Sequence, residues 1–280
     1  MVDWATWKHL SHLPTLRKLE IDQGYNDHPS LPKQDIVNLS FLHITSLSFQ
    51  QLYDAGDIIT VMQHWQFPSL KEFEFEAHRF SSEQAEQLFH ALSHCNACRT
   101  LEEISICCYD DNFVGDDESL TPIPHFLCFT QLQTLKLMFN NFYIYLDNDM
   151  LLQAMSTWPH IRTLEIDDSG DRVPSSEISL RGLFTAIGLC PQLHTLQVPI
   201  KIATIDINPD AEPIQHTSLR SLALDLSEFL IDAETIARII SAWLPCVDRV
   251  QNINGLSWLQ VNRHLRSLRT ATAPCVAGAS

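Results

Sequence analysis

Eight apolar triplets recur in one phase along this chain, and they limit its fold more tightly than any other feature. They are Leu16/Leu19/Ile21, Ile44/Leu47/Phe49, Leu70/Phe73/Phe75, Leu101/Ile104/Ile106, Leu132/Leu135/Leu137, Ile161/Leu164/Ile166, Leu193/Leu196/Val198 and Leu219/Leu222/Leu224. The last two members of each triplet are two residues apart, which puts them on one face of a strand, while the first leads in from the same core. A ninth set, Val247/Val250 with Ile253 one place late, is degenerate. From Leu16 to Val247 the mean period is about 29 residues, at the long end of the range for strand-plus-helix repeats. One such triplet is weak where apolar residues make up 45% of the chain, but eight in phase are strong.

Between the triplets the apolar period changes from two to that of a helix. Five segments carry an i, i+3, i+4, i+7 stripe: Ile58/Val61/Met62/Trp65, Ala85/Leu88/Phe89/Leu92, Leu151/Ala154/Met155/Trp158, Leu180/Leu183/Phe184/Ile187 and Ile236/Ile239/Ile240/Trp243. Pro68, Pro159, Pro191 and Pro245 fall between stripe and strand, where a residue that cannot continue a helix also biases its predecessor toward extended geometry. Ser81-Ser82-Glu83-Gln84 has the spacing of a capping box. The pattern predicts an α/β leucine-rich-repeat solenoid, a curved right-handed array of parallel strands and helices. A doubly wound sheet is the structural rival, disfavoured because no Gly-rich strand-to-helix turn occurs. The expected organisation is a capping helix over residues 1–14, an array of about nine repeats over 15–255, and a C-terminal cap with a frayed tail over 256–280.

Eighteen Lys and Arg stand against 34 Asp and Glu, a net charge of -16. So acidic a chain repels phosphate backbones, so no nucleic acid is expected as a partner. There is no apolar run of about 18 residues and no basic leader, so no membrane is expected and the protein is placed in the cytoplasm or nucleus. The eight cysteines lack the even framework of a small secreted domain, and Asn38-Leu39-Ser40 is read as a chance match to a glycosylation acceptor.

Strand positions that flank and alternate with the inner apolar residues form a second face. From Lys18/Glu20/Asp22 through Ser221/Ala223/Asp225 that face carries nine acidic and two basic residues. Glu72, Glu74, Glu76, Glu103, Lys136, Glu165 and Asp167 are its candidate protein-binding residues, and the imbalance suits a basic segment of a protein partner. The acidic insertion Tyr109 to Pro124 and the polar stretches Asp167 to Ser176 and Pro199 to Pro213 are expected to be irregular. His90, His94, Cys95 and Cys98 contain a Cys-x-x-Cys pair with two nearby histidines, but adjacent His94 and Cys95 make tetrahedral ligation awkward, so no metal is expected. No nucleophile elbow, His-Glu-x-x-His or phosphate-cradling glycine loop occurs, so catalytic residues and cofactors are expected to be none.

The phrases Leu-Pro-Thr-Leu-Arg-Lys-Leu-Glu-Ile, Phe-Pro-Ser-Leu-Lys-Glu-Phe-Glu-Phe, Trp-Pro-His-Ile-Arg-Thr-Leu-Glu-Ile and Cys-Pro-Gln-Leu-His-Thr-Leu-Gln-Val resemble the leucine-rich-repeat region of fungal F-box-type proteins. The resemblance runs over about residues 10 to 255. It implies a repeat surface that holds a substrate while a preceding F-box docks on the adaptor of a cullin-type ubiquitin ligase. The first triplet begins already at Leu16, so an adaptor is expected only if an F-box lies upstream. The expected function is a non-enzymatic protein–protein interaction scaffold. Its alternative is an enzyme or metal-binding protein with a site in an insertion or near His90 and Cys98.

Overall fold

The computed structural model describes residues 4–22, 38–109, 119–140, 142–167, 176–202, 204–208, 215–226, 232–251 and 257–272. Nine strands form one continuous sheet: β1 (Lys18–Asp22), β2 (Ser46–Asp54), β3 (Glu72–Arg79), β4 (Glu103–Cys108), β6 (Thr134–Phe139), β8 (Thr163–Asp167), β9 (Thr195–Ile200), β10 (Ser221–Leu226) and β11 (Val250–Gln251). They pair in that order, every neighbour parallel. Two further short strands, β5 (Ser119–Leu120) and β7 (Tyr143–Ile144), pair parallel in a separate sheet.

Among the described residues, the helices pack against one face of the large sheet. Leu47, Phe73, Ile104, Leu135, Leu164 and Leu196 are sealed against helices, while the alternating Glu72, Glu74, Ser105, Lys136 and Glu165 are exposed or half-buried. The helices are α1 (Trp4–Ser11), α2 (Gly56–His64), α3 (Ser82–His94), α4 (Pro122–Phe126), α5 (Asn148–Thr157), α6 (Leu180–Ile187), α7 (Ala233–Trp243) and α8 (Ser257–Thr272). The starts of α3, α5, α6 and α7 are fixed by side chains that accept otherwise orphaned amides. Asp147 accepts from Met150 N at 2.8 Å and Asp232 from Thr235 N at 3.0 Å. Ser81 and Gln84 close a reciprocal capping box, the Gln84 amide donating to Ser81 Oγ at 3.2 Å and the Ser81 amide to Gln84 Oε1 at 3.0 Å.

Aromatic rings fill the space between sheet and helices. Trp7 of α1 meets Trp65 edge-on at 4.7 Å, and Phe41 lies 5.0 Å from the same indole. Phe89 packs edge-on against Phe126 at 5.4 Å. The buried indoles of Trp158 and Trp258 donate to the carbonyls of Phe126 and Leu224 at 3.2 and 2.7 Å, so each buries its ring without stranding its N–H.

The expectation of a leucine-rich-repeat solenoid is corrected to a single α/β domain built on one continuous nine-stranded parallel sheet flanked by helices. The segments between strands are not equivalent units: α3 has 13 residues and α4 only 5, and no described helix lies between β1 and β2 or between β9 and β10. The triplets were misleading for a physical reason. A strand buried on one side needs two inward apolar residues and an apolar lead-in wherever it occurs, so the motif reports burial and not a repeated unit. The strand order runs without reversal among the described strands, so the sheet offers no switch-point crevice of the doubly wound kind. Most of the acidic insertion (110–118) and most of the loop after Asp167 (168–175) lie outside the described residues.

Leu135 is fully buried at the centre of β6. Leu135→Ala should cost about 2 to 5 kcal/mol in a urea unfolding curve, because neighbouring strands hold the cavity open. A loss below about 0.5 kcal/mol would contradict its central packing role.

Candidate functional site

The in-register strands arrange their open-face side chains in rows. One row runs Lys18, Ser46, Glu72, Glu103, Thr134, and the next runs Glu20, Ser48, Glu74, Ser105, Lys136, Glu165. Together they line a cleft of about 340 Å³ whose walls include Lys18, Glu72, Glu74, Glu103 and Lys136, with Ser46, Ser48, Ser105 and Thr134 between the charges. Glu72 and Glu103 are direct cross-strand partners. Like charges so placed repel across a strand spacing of about 4.8 Å.

The two lysines are each held by a carboxylate at the edge of the cleft. Lys18 Nζ lies 3.0 Å from Glu20 Oε2, and this partner holds its ammonium above the ordinary lysine value. Lys136 Nζ lies 2.9 Å from Glu165 Oε2. Glu72, Glu74 and Glu103 therefore leave the cleft with excess negative charge. The Ser48 hydroxyl, itself buried, donates to Glu74 Oε2 at 2.8 Å, and Gln50 Nε2 donates to Ser48 Oγ at 3.2 Å.

A bulge in β2 positions this support. Register with β3 shifts between Phe49 and Leu52, and Gln51 has φ 52°, in the left-handed region. The extra residue keeps both Gln50 and Gln51 out of the core and returns Leu52 to full burial. Two successive glutamines where alternation would bury one were the sequence signal for it.

Of the seven residues singled out by sequence, Glu72, Glu74, Glu103 and Lys136 line the cleft, and Glu165 holds Lys136 at its margin. Glu76 and Asp167 lie in the third row, opposite Cys107 and Met138, outside the cleft. Beside Glu76, burial pushes the Cys107 thiol up, and loss of hydration pushes Tyr109 up to about 12. Sequence reasoning did not single out Lys18 or the supporting Ser48 and Gln50.

A second cluster sits on the helical side. Glu86 of α3 accepts from the Thr121 amide at 3.1 Å through one oxygen and lies 3.0 Å from His125 Nε2 through the other, tying α3 to α4. His90 and His94 stack at 4.2 Å between ring centroids, with His125 6.3 Å from His90. The thiols of Cys98 and Cys128 both approach the Ser93 carbonyl, at 3.4 and 4.0 Å. Among the described residues, no group of three or more His, Cys, Asp or Glu side chains is arranged to hold a metal ion.

No protein-family model, no curated protein and no solved structure matches this chain. The resemblance to fungal F-box-type proteins is thereby withdrawn, and with it the ubiquitin-ligase receptor reading and the fungal assignment. The scaffold reading rested on the repeat fold and is corrected with it, since the chain is an α/β domain with a polar cleft on its open face and a second polar cluster on its helices. The alternative placed near His90 and Cys98 is better served, because folding brings His125 to His90 and Glu86, and Cys128 to the Ser93 carbonyl that Cys98 also approaches, from 35 or more positions away.

Burial pushes the thiols of Cys95 and Cys128 up to about 11 and 12, so little of either is thiolate near neutrality. Brief iodoacetamide labelling of the folded protein at pH 7.5 should modify exposed Cys246 well before Cys95, Cys128 or buried Cys190. Peptide mapping reads the order, and equal labelling of all four would contradict the packing described.

Proposed function

We propose that the open-face cleft binds a cationic ligand, an ammonium or guanidinium group carried by a basic polypeptide segment. The observation that carries this reading is the direct cross-strand pairing of Glu72 with Glu103, with Glu74 on the same face. Folding sets two carboxylates against each other, and a cation between them converts repulsion into charge-assisted hydrogen bonds. Ser48 and Gln50 hold Glu74 in place by donating to it, so its orientation is set before a ligand arrives. A volume of about 340 Å³ lies at the small end of ligand sites, enough for one or two side chains.

Fluorescence anisotropy with a labelled tetra-arginine peptide tests the reading, with spermidine and a neutral peptide of equal length as competitors. The double variant Glu72→Gln/Glu103→Gln should weaken peptide binding about tenfold or more at low salt. Asp149→Asn, an exposed carboxylate in the first turn of α5, should leave it unchanged. Competition by spermidine alone would assign the cleft to free polyamines. Equal affinity of wild type and double variant for the peptide, or equal binding of the neutral peptide, would refute the reading.

The free protein supplies a second, independent readout. Glu103→Gln removes the cross-strand repulsion, so it should stabilise the unliganded fold by about 0.2 to 1 kcal/mol in urea. A destabilised variant would mean that Glu103 is a structural carboxylate.

A further inference from the structure

The end of α3 and the end of α4 are held side by side through one backbone carbonyl. Ser93 is among the last residues of α3, so its carbonyl has no partner within the helix. The chain then turns through Asn96, whose φ of 65° is the left-handed conformation that asparagine tolerates at helix ends. That turn swings Cys98 back so that its Sγ donates to Ser93 O at 3.4 Å. Cys128, just past α4, brings its Sγ to 4.0 Å from the same oxygen and to 3.5 Å from His125 O. Both side chains are half-buried, so small oxidants reach them, whereas Cys95 beside them is sealed.

We propose that Cys98 and Cys128 are a modification site, a dithiol that a small-molecule disulfide such as oxidised glutathione converts to an intramolecular disulfide. The proposal is independent of the cleft, which lies on the other side of the sheet. The Cys98 thiolate attacks one sulfur of oxidised glutathione, whose S–S bond breaks and releases one glutathione thiolate. The resulting mixed disulfide on Cys98 is attacked by the Cys128 thiolate, which forms the Cys98–Cys128 bond and expels the second glutathione. Two protein thiols are oxidised, one disulfide is reduced to two thiols, and the two protons pass to the released glutathione.

The second step is the slower one. Burial and the neighbouring Cys98 thiol push the Cys128 thiol up to about 12, so its thiolate is scarce near neutrality. Attack is still favoured by position, because both sulfurs already share one acceptor and the step is intramolecular. Once formed, the bond covalently links the turn after α3 to the turn after α4, beside the contacts of Glu86 with Thr121 and His125 and the packing of Phe89 on Phe126.

The test is incubation of the folded full chain with excess oxidised glutathione, followed by intact mass measurement and unreduced peptide mapping. Wild type should lose two hydrogens, yield a cross-linked peptide pair containing Cys98 and Cys128, and revert on adding dithiothreitol. Cys128→Ser should stop at a glutathione adduct on Cys98. A persistent adduct on Cys98 in wild type, a Cys95–Cys98 link, or no reaction at either residue would overturn the proposal. The wild-type map alone decides, so the conclusion stands even if the variant misfolds.

Discussion

The fold depends on a ladder of backbone carbonyls at the mouths of the strands. Arg17 O accepts from the amides of Thr45 and Ser46, Thr45 O from Lys71 and Glu72, and Lys71 O from Glu102 and Glu103. The series continues through Glu102, Gln133, Arg162 and His194, each carbonyl receiving two amides from the strand that follows. Each strand is thus registered on its predecessor before its own ladder begins, and a slip at one position would be inherited by every later strand. Register is what creates the rows of the open face, so the cleft is a product of this ladder.

Strand positions were legible because one-sided burial imposes a two-residue alternation, and the helical stripes were legible from the change of period. Ile58 to Met62, Ala85 to Leu92 and Ile236 to Ile240 fall inside α2, α3 and α7. The repeat class and the family were not legible. The same triplets follow from any series of parallel strands packed on one side, so they carry geometry without ancestry, and connections as unequal as α3 and α4 leave no mark on them.

The acidic residues of the site could be found from sequence because alternation assigns them to a face. Their grouping could not, because it depends on which strand lies beside which and in what register. Glu72 meets Glu103 across 31 positions, and the bulge at Gln51 shifts Gln50 toward Glu74. The helical-side cluster was half visible, since His90, His94 and Cys98 are close in sequence. Its other half, His125 and Cys128, arrives only when α4 docks on α3.

The open face has two unequal pitches, and these act as a ruler. Along β3, Glu72, Glu74 and Glu76 recur every second residue, about 6.6 Å apart, whereas across the strands neighbouring row positions are about 4.8 Å apart. Alternate side chains of an extended polypeptide have the first pitch, so a chain lying along β3 can stay commensurate with successive carboxylates. The same chain laid across the strands drifts out of step after a single contact. The lattice of the sheet therefore ranks bound orientations by arithmetic before any individual side chain is considered.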